Sequence, residues 1–160
     1  MKRLENKIAI VTGSSSGIGK AIALRFAEEG ATVVIAARRI ELCDQGAATI
    51  RARGGQAAVI QTDVTDEAQV THLISETVRQ FGKIDILVNN AGILLGEHIV
   101  ETATDTFDHV MNTNLRGMFF CCREGVRVMK QSGGGNIINM SSVAGVESWS
   151  GTGTYSAPKF

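Results

Sequence analysis

The feature that most constrains the fold is a regular alternation of short β-branched runs with longer amphipathic stretches. Five short apolar runs predict β-strands: Lys7–Thr12, Thr32–Ala37, Ala57–Gln61, Ile84–Asn89 and Asn136–Ser141. Four longer stretches carry apolar residues at helical spacing: Ile18–Glu29, Glu41–Arg53, Asp66–Gln80 and about Thr104–Gln131. This strand–helix repeat predicts an α/β fold with a Rossmann-type, doubly wound parallel sheet, covered by helices on both faces.

Composition excludes several classes of function. The 16 Lys and Arg residues balance the 16 Asp and Glu residues, so the chain has no global charge that would attract nucleic acid or an anionic membrane. No apolar run approaches the length of a membrane span, and the N-terminal run is too short for a signal peptide. We therefore expect a cytoplasmic protein with no nucleic-acid or membrane partner.

The cysteines and histidines predict no metal site and no disulfide framework. Cys43, Cys121 and Cys122 are odd in number and lack CxxC spacing, which is typical of a reducing compartment. The three histidines have no metal-like spacing with cysteines or carboxylates: His72, His98 and His109. We interpret these residues as structural, with the paired cysteines packing in the core or at a subunit interface.

A glycine-rich loop, TGSSSGIG at residues 12–19, joins the first predicted strand to the first predicted helix. Gly13 allows a tight turn and Gly17 a close approach to a pyrophosphate. Gly19 allows the helix to pack closely. The helix N-terminus adds N–H groups and the positive end of a dipole. We predict a dinucleotide site formed by Gly13, Ser15, Ser16, Gly17, Ile18 and Gly19. The alternative is a glycine-rich turn without a ligand.

The end of the second predicted strand bears on the choice of cofactor. An NAD site places an acidic residue there to bind the ribose 2′-hydroxyl, but here Ala37 is followed by Arg38 and Arg39. Two guanidinium groups can bind a 2′-phosphate bidentately. The sequence therefore favours NADP, with NAD possible. The alternative is a solvated basic turn in which Glu41 pairs with either arginine.

At this point the sequence resembles the short-chain dehydrogenase/reductase family in its single-domain branch. The matching motifs occur in the family's order: TGSSSGIG at 12–19, NNAG at 89–92, Asn114 in NTNLRG, Ser141-Ser142 in INMSSVAG, and YSAPK at 155–159. The resemblance implies an NAD(P)-dependent oxidoreductase that interconverts a ketone and a secondary alcohol by hydride transfer. It also implies a small carbonyl or alcohol substrate and, for the full-length parent, a homodimer or homotetramer.

The tyrosine and lysine of the last motif also make chemical sense as a pair. Reduction of a ketone needs a proton donor beside the carbonyl oxygen, and a free phenol with a pKa near 10 needs a neighbouring positive charge for this work. Lys159 lies four residues after Tyr155, so the two share a helix face, provided that the helix begins before Tyr155 despite Pro158. The family places its catalytic serine thirteen residues before the tyrosine, which selects Ser142 over Ser141.

The resemblance assigns further roles. Asn114 would hold a water that links Lys159 to solvent, although an asparagine satisfied by backbone is the alternative. Tyr155 and Lys159 would also contact the cofactor. Other residues would line its adenosine side: Asn90, Ala91 and Gly92, with Asp63 and Val64 at the adenine. For Asp63 the alternative is a plain turn.

The family's domain is longer than this sequence. The common open sheet has six strands, whereas five are predicted here, and Phe160 falls in the first turn of another predicted helix. We expect residues 1–160 to be the N-terminal portion of a single NAD(P)-binding Rossmann domain, without its C-terminal strands and substrate loop, and with little activity alone. The alternative is a non-catalytic dinucleotide-binding or interaction module. Trp149 either lines a substrate pocket or covers the core.

Overall fold

The computed structural model describes residues 2–147 and 149–160, and a five-stranded parallel sheet lies at its centre. The strands have the order β3–β2–β1–β4–β5 and these bounds: Ile8–Thr12 (β1), Thr32–Ala37 (β2), Gln56–Gln61 (β3), Ile86–Asn89 (β4) and Asn136–Asn139 (β5). Every neighbouring pair is parallel. The predicted α/β class and Rossmann-type sheet are confirmed.

Six helices accompany the sheet in the described residues: Gly17–Glu28 (α1), Ile40–Ala52 (α2), Glu67–Phe81 (α3), Thr104–Met111 (α4), Gly117–Gln131 (α5) and Gly153–Ser156 (α6). The long helix predicted over Thr104–Gln131 is α4 and α5 joined by a π-helical turn at Asn112–Arg116. A 3₁₀ turn, Ala157–Lys159, follows α6. No helix of the described residues is both long and apolar enough to cross a membrane.

Both faces of the central strands are buried. Side chains alternate along a strand, so successive residues pack into different apolar clusters. Val11 of β1 joins the apolar cluster under α1 and α2, whereas Ile10 joins the cluster under α3 and α5. At the sheet edge β5 is mostly exposed, as expected for this strand, and Ile138 retains 42% of its accessible surface. Ile137 packs against the cluster under α3 and α5, whereas Ile138 belongs to neither cluster of the described residues.

Local signals explain where the helices begin and end. The Asp66 carboxylate precedes α3 and accepts hydrogen bonds from the backbone N–H groups of Ala68 and Gln69. Gly30 and Gly82 follow α1 and α3 with φ angles of 95° and 81°, the left-handed conformation that glycine adopts most easily. The end of each helix therefore directs the chain back to the amino edge of the sheet.

Asp85 fastens β1 to β4 at that amino edge. Its carboxylate accepts a hydrogen bond of 2.8 Å from the backbone N–H of Ile8, and its own N–H donates to the Ile8 carbonyl. The ammonium groups of Lys83 and Lys7 lie 3.0 and 3.5 Å from the carboxylate. Burial acts to raise the pKa of Asp85, but the Ile8 hydrogen bond and the two lysines outweigh it and hold that pKa below 3.8.

We expect Asp85→Ala to lower the free energy of unfolding by about 1–3 kcal/mol at neutral pH, because the Ile8 N–H loses its partner. Because the folded-state pKa is depressed, the contribution of the carboxylate is complete well above pH 3.8 and is lost as the pH falls through the folded value. Denaturant unfolding of wild type, Asp85→Asn and Asp85→Ala across pH 2.5–7 measures this. A difference between wild type and Asp85→Asn that stays constant over that range would contradict the prediction.

Candidate active site

A cleft of about 500 Å³ opens at the carboxyl ends of the strands, where the strand order reverses between β1 and β4. Its walls include most of the predicted dinucleotide-binding residues: Gly13, Ser15, Ser16, Ile18, Gly19, Arg38, Arg39, Asp63, Val64, Asn90, Ala91 and Gly92. Gly17, Tyr155 and Lys159 are not part of the wall. The sequence analysis missed four lining residues: Ala37, Thr62, Ile93 and Thr113.

The sequence pattern could have predicted two of the missed lining residues. Ala37 ends β2 and Thr62 directly follows β3, and the carboxyl ends of parallel strands meet at one edge of a sheet. Thr113 lies in the π-helical turn, which periodicity does not reveal.

The glycines of the loop have different roles. A Cβ at Gly13 would lie 2.7 Å from the Ala91 Cα, and the φ angle of Gly13 is 65°. A Cβ at Gly19 would lie 2.6 Å from the Gly13 carbonyl oxygen and 2.4 Å from the Asn90 Nδ2 atom, so the loop backbone and the segment after β4 together require this glycine. Gly17 has a φ angle of 56° and, within the described residues, no atom within 4 Å of its Cβ position. Its outward face therefore leaves room beside the loop.

Thr12 and Asn90 bind the glycine loop to the segment after β4. The Thr12 hydroxyl accepts hydrogen bonds from the N–H groups of Asn90 (3.0 Å) and Ala91 (3.1 Å) and donates to the Val88 carbonyl. The Asn90 amide donates in return to the carbonyls of Thr12 (2.9 Å) and Gly13 (3.3 Å). Two walls of the cleft are thereby held as one unit.

The start of α1 offers donors to an anion. Ser16 precedes this helix, and its side chain makes no capping hydrogen bond within the described residues. The first N–H groups of the helix are therefore not taken by that side chain. Ser14 instead turns inward, donating to the Val11 carbonyl at 2.6 Å and accepting from the Ala36 N–H at 3.2 Å. This donor set, with the room beside Gly17, fits a pyrophosphate.

Arg39 reaches across the glycine loop. Its guanidinium donates to the hydroxyls of Ser15 (2.9 Å) and Ser16 (2.6 Å). Arg38 lies 3.9 Å from the Asp63 carboxylate, and its side chain is 61% exposed. Among the residues that the structure describes, Glu41 forms no ion pair with either arginine, so the alternative pairing is not observed. An anion at this end of the cleft would meet guanidinium and hydroxyl donors together.

Asp63 lies in a turn that borders the cleft. Its carboxylate accepts hydrogen bonds from the N–H and hydroxyl of Thr65, which is a turn, and the residue also lines the cleft.

Lys159 is buried beside Tyr155. Only 8% of the lysine is exposed, and its Nζ atom donates to the Met140 carbonyl at 2.8 Å. The same Nζ atom lies 5.7 Å from the centre of the Tyr155 ring. Because α6 begins at Gly153, Pro158 falls in the 3₁₀ turn behind the tyrosine and does not separate the pair. Burial lowers the pKa of Lys159.

Gly92 connects this pair to the cleft. A Cβ at Gly92 would lie 3.4 Å from the Lys159 Nζ atom and 3.3 Å from the Asn114 Oδ1 atom. The Asn114 amide donates to the Ile93 carbonyl and accepts from the Ile93 N–H, both at 2.8 Å. This is the backbone pairing that the sequence left as the alternative. The π-helical turn carries Asn114, and such turns are frequent at functional sites.

The two adjacent serines differ in their hydrogen bonds. Ser141 donates its hydroxyl hydrogen to the Lys159 carbonyl. The Ser142 oxygen accepts from the Ala144 N–H at 3.2 Å, which leaves its O–H available as a donor. The geometry therefore favours Ser142 as the group that can bind a substrate oxygen.

The remaining candidate residues lie away from the cleft. Cys43 and Cys121 are buried, and burial raises the pKa of Cys121 to about 12. All three histidines are exposed: His72, His98 and His109. In residues 2–147 and 149–160, no group of three His, Cys, Asp or Glu side chains is arranged to hold a metal ion.

Comparison with known proteins gives consistent matches. The short chain dehydrogenase profile matches residues 7–160. The chain is 42% identical over 163 residues to a 3beta-hydroxysteroid dehydrogenase of Mediterraneibacter gnavus, covering 99% of this chain and 58% of that protein. It is 42% identical over 160 residues to an NADP-dependent (R)-specific alcohol dehydrogenase of Lentilactobacillus kefiri, covering 98% and 62%.

A solved structure shares the fold. A short-chain type dehydrogenase/reductase from Mycobacterium marinum superposes with a TM-score of 0.93 at 35% identity, covering 98% of this chain and 64% of that one. The chain thus spans about three fifths of the length of the relatives that it matches.

We expect Thr12→Val to destabilise the cleft, because the Ala91 N–H loses its acceptor and the Asn90 N–H keeps only the Val88 carbonyl. The cost should be about 1–3 kcal/mol in the free energy of unfolding. Thr12→Ser keeps the hydroxyl and is the matched control, for which we expect a smaller loss. Denaturant unfolding measures both variants, and a loss in Thr12→Ser as large as that in Thr12→Val would contradict the prediction, because the serine keeps the hydroxyl.

Proposed function

The chain belongs to the short-chain dehydrogenase family, and we propose that it carries the active site of an NAD(P)-dependent oxidoreductase that interconverts a ketone and a secondary alcohol. One observation carries the proposal: the cleft that fits a dinucleotide ends at Gly92, directly against the buried Lys159 that lies beside Tyr155. The cleft would bind the cofactor that carries the hydride. Tyr155, at the end of the cleft, would donate the proton.

The described residues fit NADP as the preferred cofactor. The N–H groups at the start of α1 would hold the pyrophosphate, and Arg38 and Arg39 would bind the 2′-phosphate. The adenosine side would lie against Asp63, Val64 and the segment Asn90–Gly92. When bound, the nicotinamide supplies a hydride to the carbonyl carbon or takes one from the alcohol carbon.

Three side chains would handle the substrate oxygen. The Tyr155 hydroxyl gives its proton to the oxygen during ketone reduction and takes it back during alcohol oxidation. The Lys159 ammonium, held by the Met140 carbonyl, stabilises the negative charge that this leaves on the tyrosine and contacts the cofactor ribose. The Ser142 O–H donates to the same substrate oxygen and orients it.

Asn114 would support proton exchange. Its amide keeps one further N–H hydrogen and one further lone pair beyond the two bonds to Ile93, and it lies on the same side of Gly92 as Lys159. A water held there would connect the lysine to solvent.

For the full-length protein we also propose a homodimer or homotetramer in the cytoplasm. The π-helical turn and α5 expose apolar side chains that a second subunit would cover: Leu115, Phe119 and Val126. The cytoplasmic assignment rests on the three free cysteines and the balanced charge.

Titration of the 160-residue chain with NADPH and NADH tests the cofactor site. We expect tighter binding of NADPH, and we expect Arg39→Ala to weaken NADPH binding about ten- to a hundredfold, as loss of a charge-assisted hydrogen bond predicts. NADH affinity should change little. Arg53→Ala is the matched control, since Arg53 is similarly exposed but lies at the end of α2. Equal effects of Arg39→Ala on both cofactors would refute the 2′-phosphate contact.

Ketone reduction with NADPH tests catalysis. We expect the 160-residue chain to turn over slowly, below about 1 per second. Tyr155→Phe should reduce that rate by about 10²–10⁴-fold while NADPH affinity is retained, because only the proton donor is removed. Cofactor binding without measurable turnover would support the second candidate, a non-catalytic dinucleotide-binding module. Failure of folded protein to bind either cofactor would refute both.

A further inference from the structure

Two loop segments meet beside the candidate catalytic residues, and together we call them the apolar rim: residues 93–100 after β4, and residues 143–147 with 149–152 before α6. Each is anchored to the site. The first begins at Ile93, whose backbone pairs with the Asn114 amide. The second begins after Ser142 and leads directly into the helix that carries Tyr155.

The two segments form one surface. The Ser150 hydroxyl lies 3.3 Å from the His98 Nδ1 atom, which joins the segments by a hydrogen bond. A Cβ at Gly96 would lie 3.4 Å from the Gly151 carbonyl, and one at Gly153 would lie 3.9 Å from the Ile99 side chain. The two segments therefore contact each other close in the chain to Tyr155, which lies two residues after Gly153.

This surface is strongly apolar. Half of the large hydrophobic side chains that are exposed in the described residues lie on it, although it is a small part of the chain: Leu94, Leu95, Ile99, Val100, Val143, Val146 and Trp149. Val100 and Val146 are 91% and 81% exposed. An exposed apolar surface of this kind marks a place where another apolar group binds. Trp149 contributes to this surface, and at 50% exposure it does not cover the core.

The charges of the rim exclude one class of substrate. Its charged side chains are the carboxylates of Glu97 and Glu147, and its segments contain no lysine or arginine. His98 lies on the rim with its Nδ1 atom 3.3 Å from the Ser150 hydroxyl, and the Lys159 ammonium is buried and donates to the Met140 carbonyl. A substrate with a carboxylate or phosphate near its carbonyl group would lose hydration and find no partner here.

We propose that the substrate is an uncharged, apolar ketone or the corresponding alcohol, with its hydrocarbon part on the apolar rim and its oxygen at Ser142 and Tyr155. This rests on the proposed carbonyl chemistry. The absence of cations and the density of aliphatic side chains argue for this occupant over an anionic metabolite. A second copy of the chain is the competing occupant of the same surface, and the experiment distinguishes the two.

Trp149 provides the readout, because it is the one tryptophan in the sequence and lies on the rim. In the presence of saturating NADP⁺, the chain is titrated with a saturated polycyclic ketone and with the same ring system bearing a carboxylate. We expect a saturable change in Trp149 emission with the uncharged ketone and at least about tenfold weaker binding of the carboxylate.

A charge placed on the rim gives the matched test. We expect Val146→Glu to weaken ketone binding at least about tenfold, because it puts a carboxylate where the hydrocarbon would lie. Ala48→Glu adds the same charge at an exposed position of α2 and should leave ketone binding unchanged. Calorimetric titration with NADPH should give the same affinity for both variants and wild type.

The outcomes separate the two proposals. Unchanged Trp149 emission with the uncharged ketone, in a chain that binds NADPH, would overturn this inference and leave the proposed function standing. Equal or tighter binding of the carboxylate would also overturn it. Sedimentation that shows a dimer dispersed by Val146→Glu would assign the rim to a second copy instead. Loss of NADPH binding in the wild-type chain would count against the proposed function itself.

Discussion

The candidate site depends above all on the hydrogen bonds between Thr12 and Asn90. The sheet pairs β1 with β4 only as far as Val11 and Val88, so other contacts must fix the glycine loop that follows against the exit of β4. A buried hydroxyl and an amide supply that connection, with four hydrogen bonds between the two segments. Glycine at position 19 leaves room for this amide and for the loop backbone, since a Cβ there would lie 2.4 Å from the Asn90 Nδ2 atom and 2.6 Å from the Gly13 carbonyl oxygen.

The same strand ends also position the buried lysine. Met140 follows β5, and its N–H donates to the Asn89 carbonyl at the end of β4. Its carbonyl then accepts from the Lys159 ammonium, which fixes the charge beside Tyr155 although the lysine belongs to a short 3₁₀ turn. A buried ammonium group is costly without a hydrogen-bond partner. The Met140 carbonyl, which the sheet holds in place, therefore offsets the cost of burying Lys159.

The two sides of the site differ in chemistry. The cofactor side combines backbone N–H groups, serine hydroxyls and guanidinium groups, which suits phosphates. The opposite side is aliphatic, with carboxylates as its charged groups. Gly92 lies where they meet, and a Cβ there would lie 3.4 Å from the Lys159 Nζ atom and 3.3 Å from the Asn114 Oδ1 atom. A molecule that uses both sides must therefore bring a reacting carbonyl group to this boundary, as the proposed hydride transfer requires.

The sequence alone determined the fold class, the element order and most of the cofactor cleft, because periodicity and glycine placement are local properties of the chain. It did not reveal the π-helical turn at Asn112–Arg116 or the lining residues Ile93 and Thr113. Those depend on which segments meet across the sheet. The tertiary structure also added hydrogen bonds that spacing does not show. It paired Asn114 with the Ile93 backbone, turned Ser141 toward the Lys159 carbonyl and left the Ser142 O–H free to donate. Hydrogen bonds between residues far apart in sequence made these choices, and no local pattern encodes them.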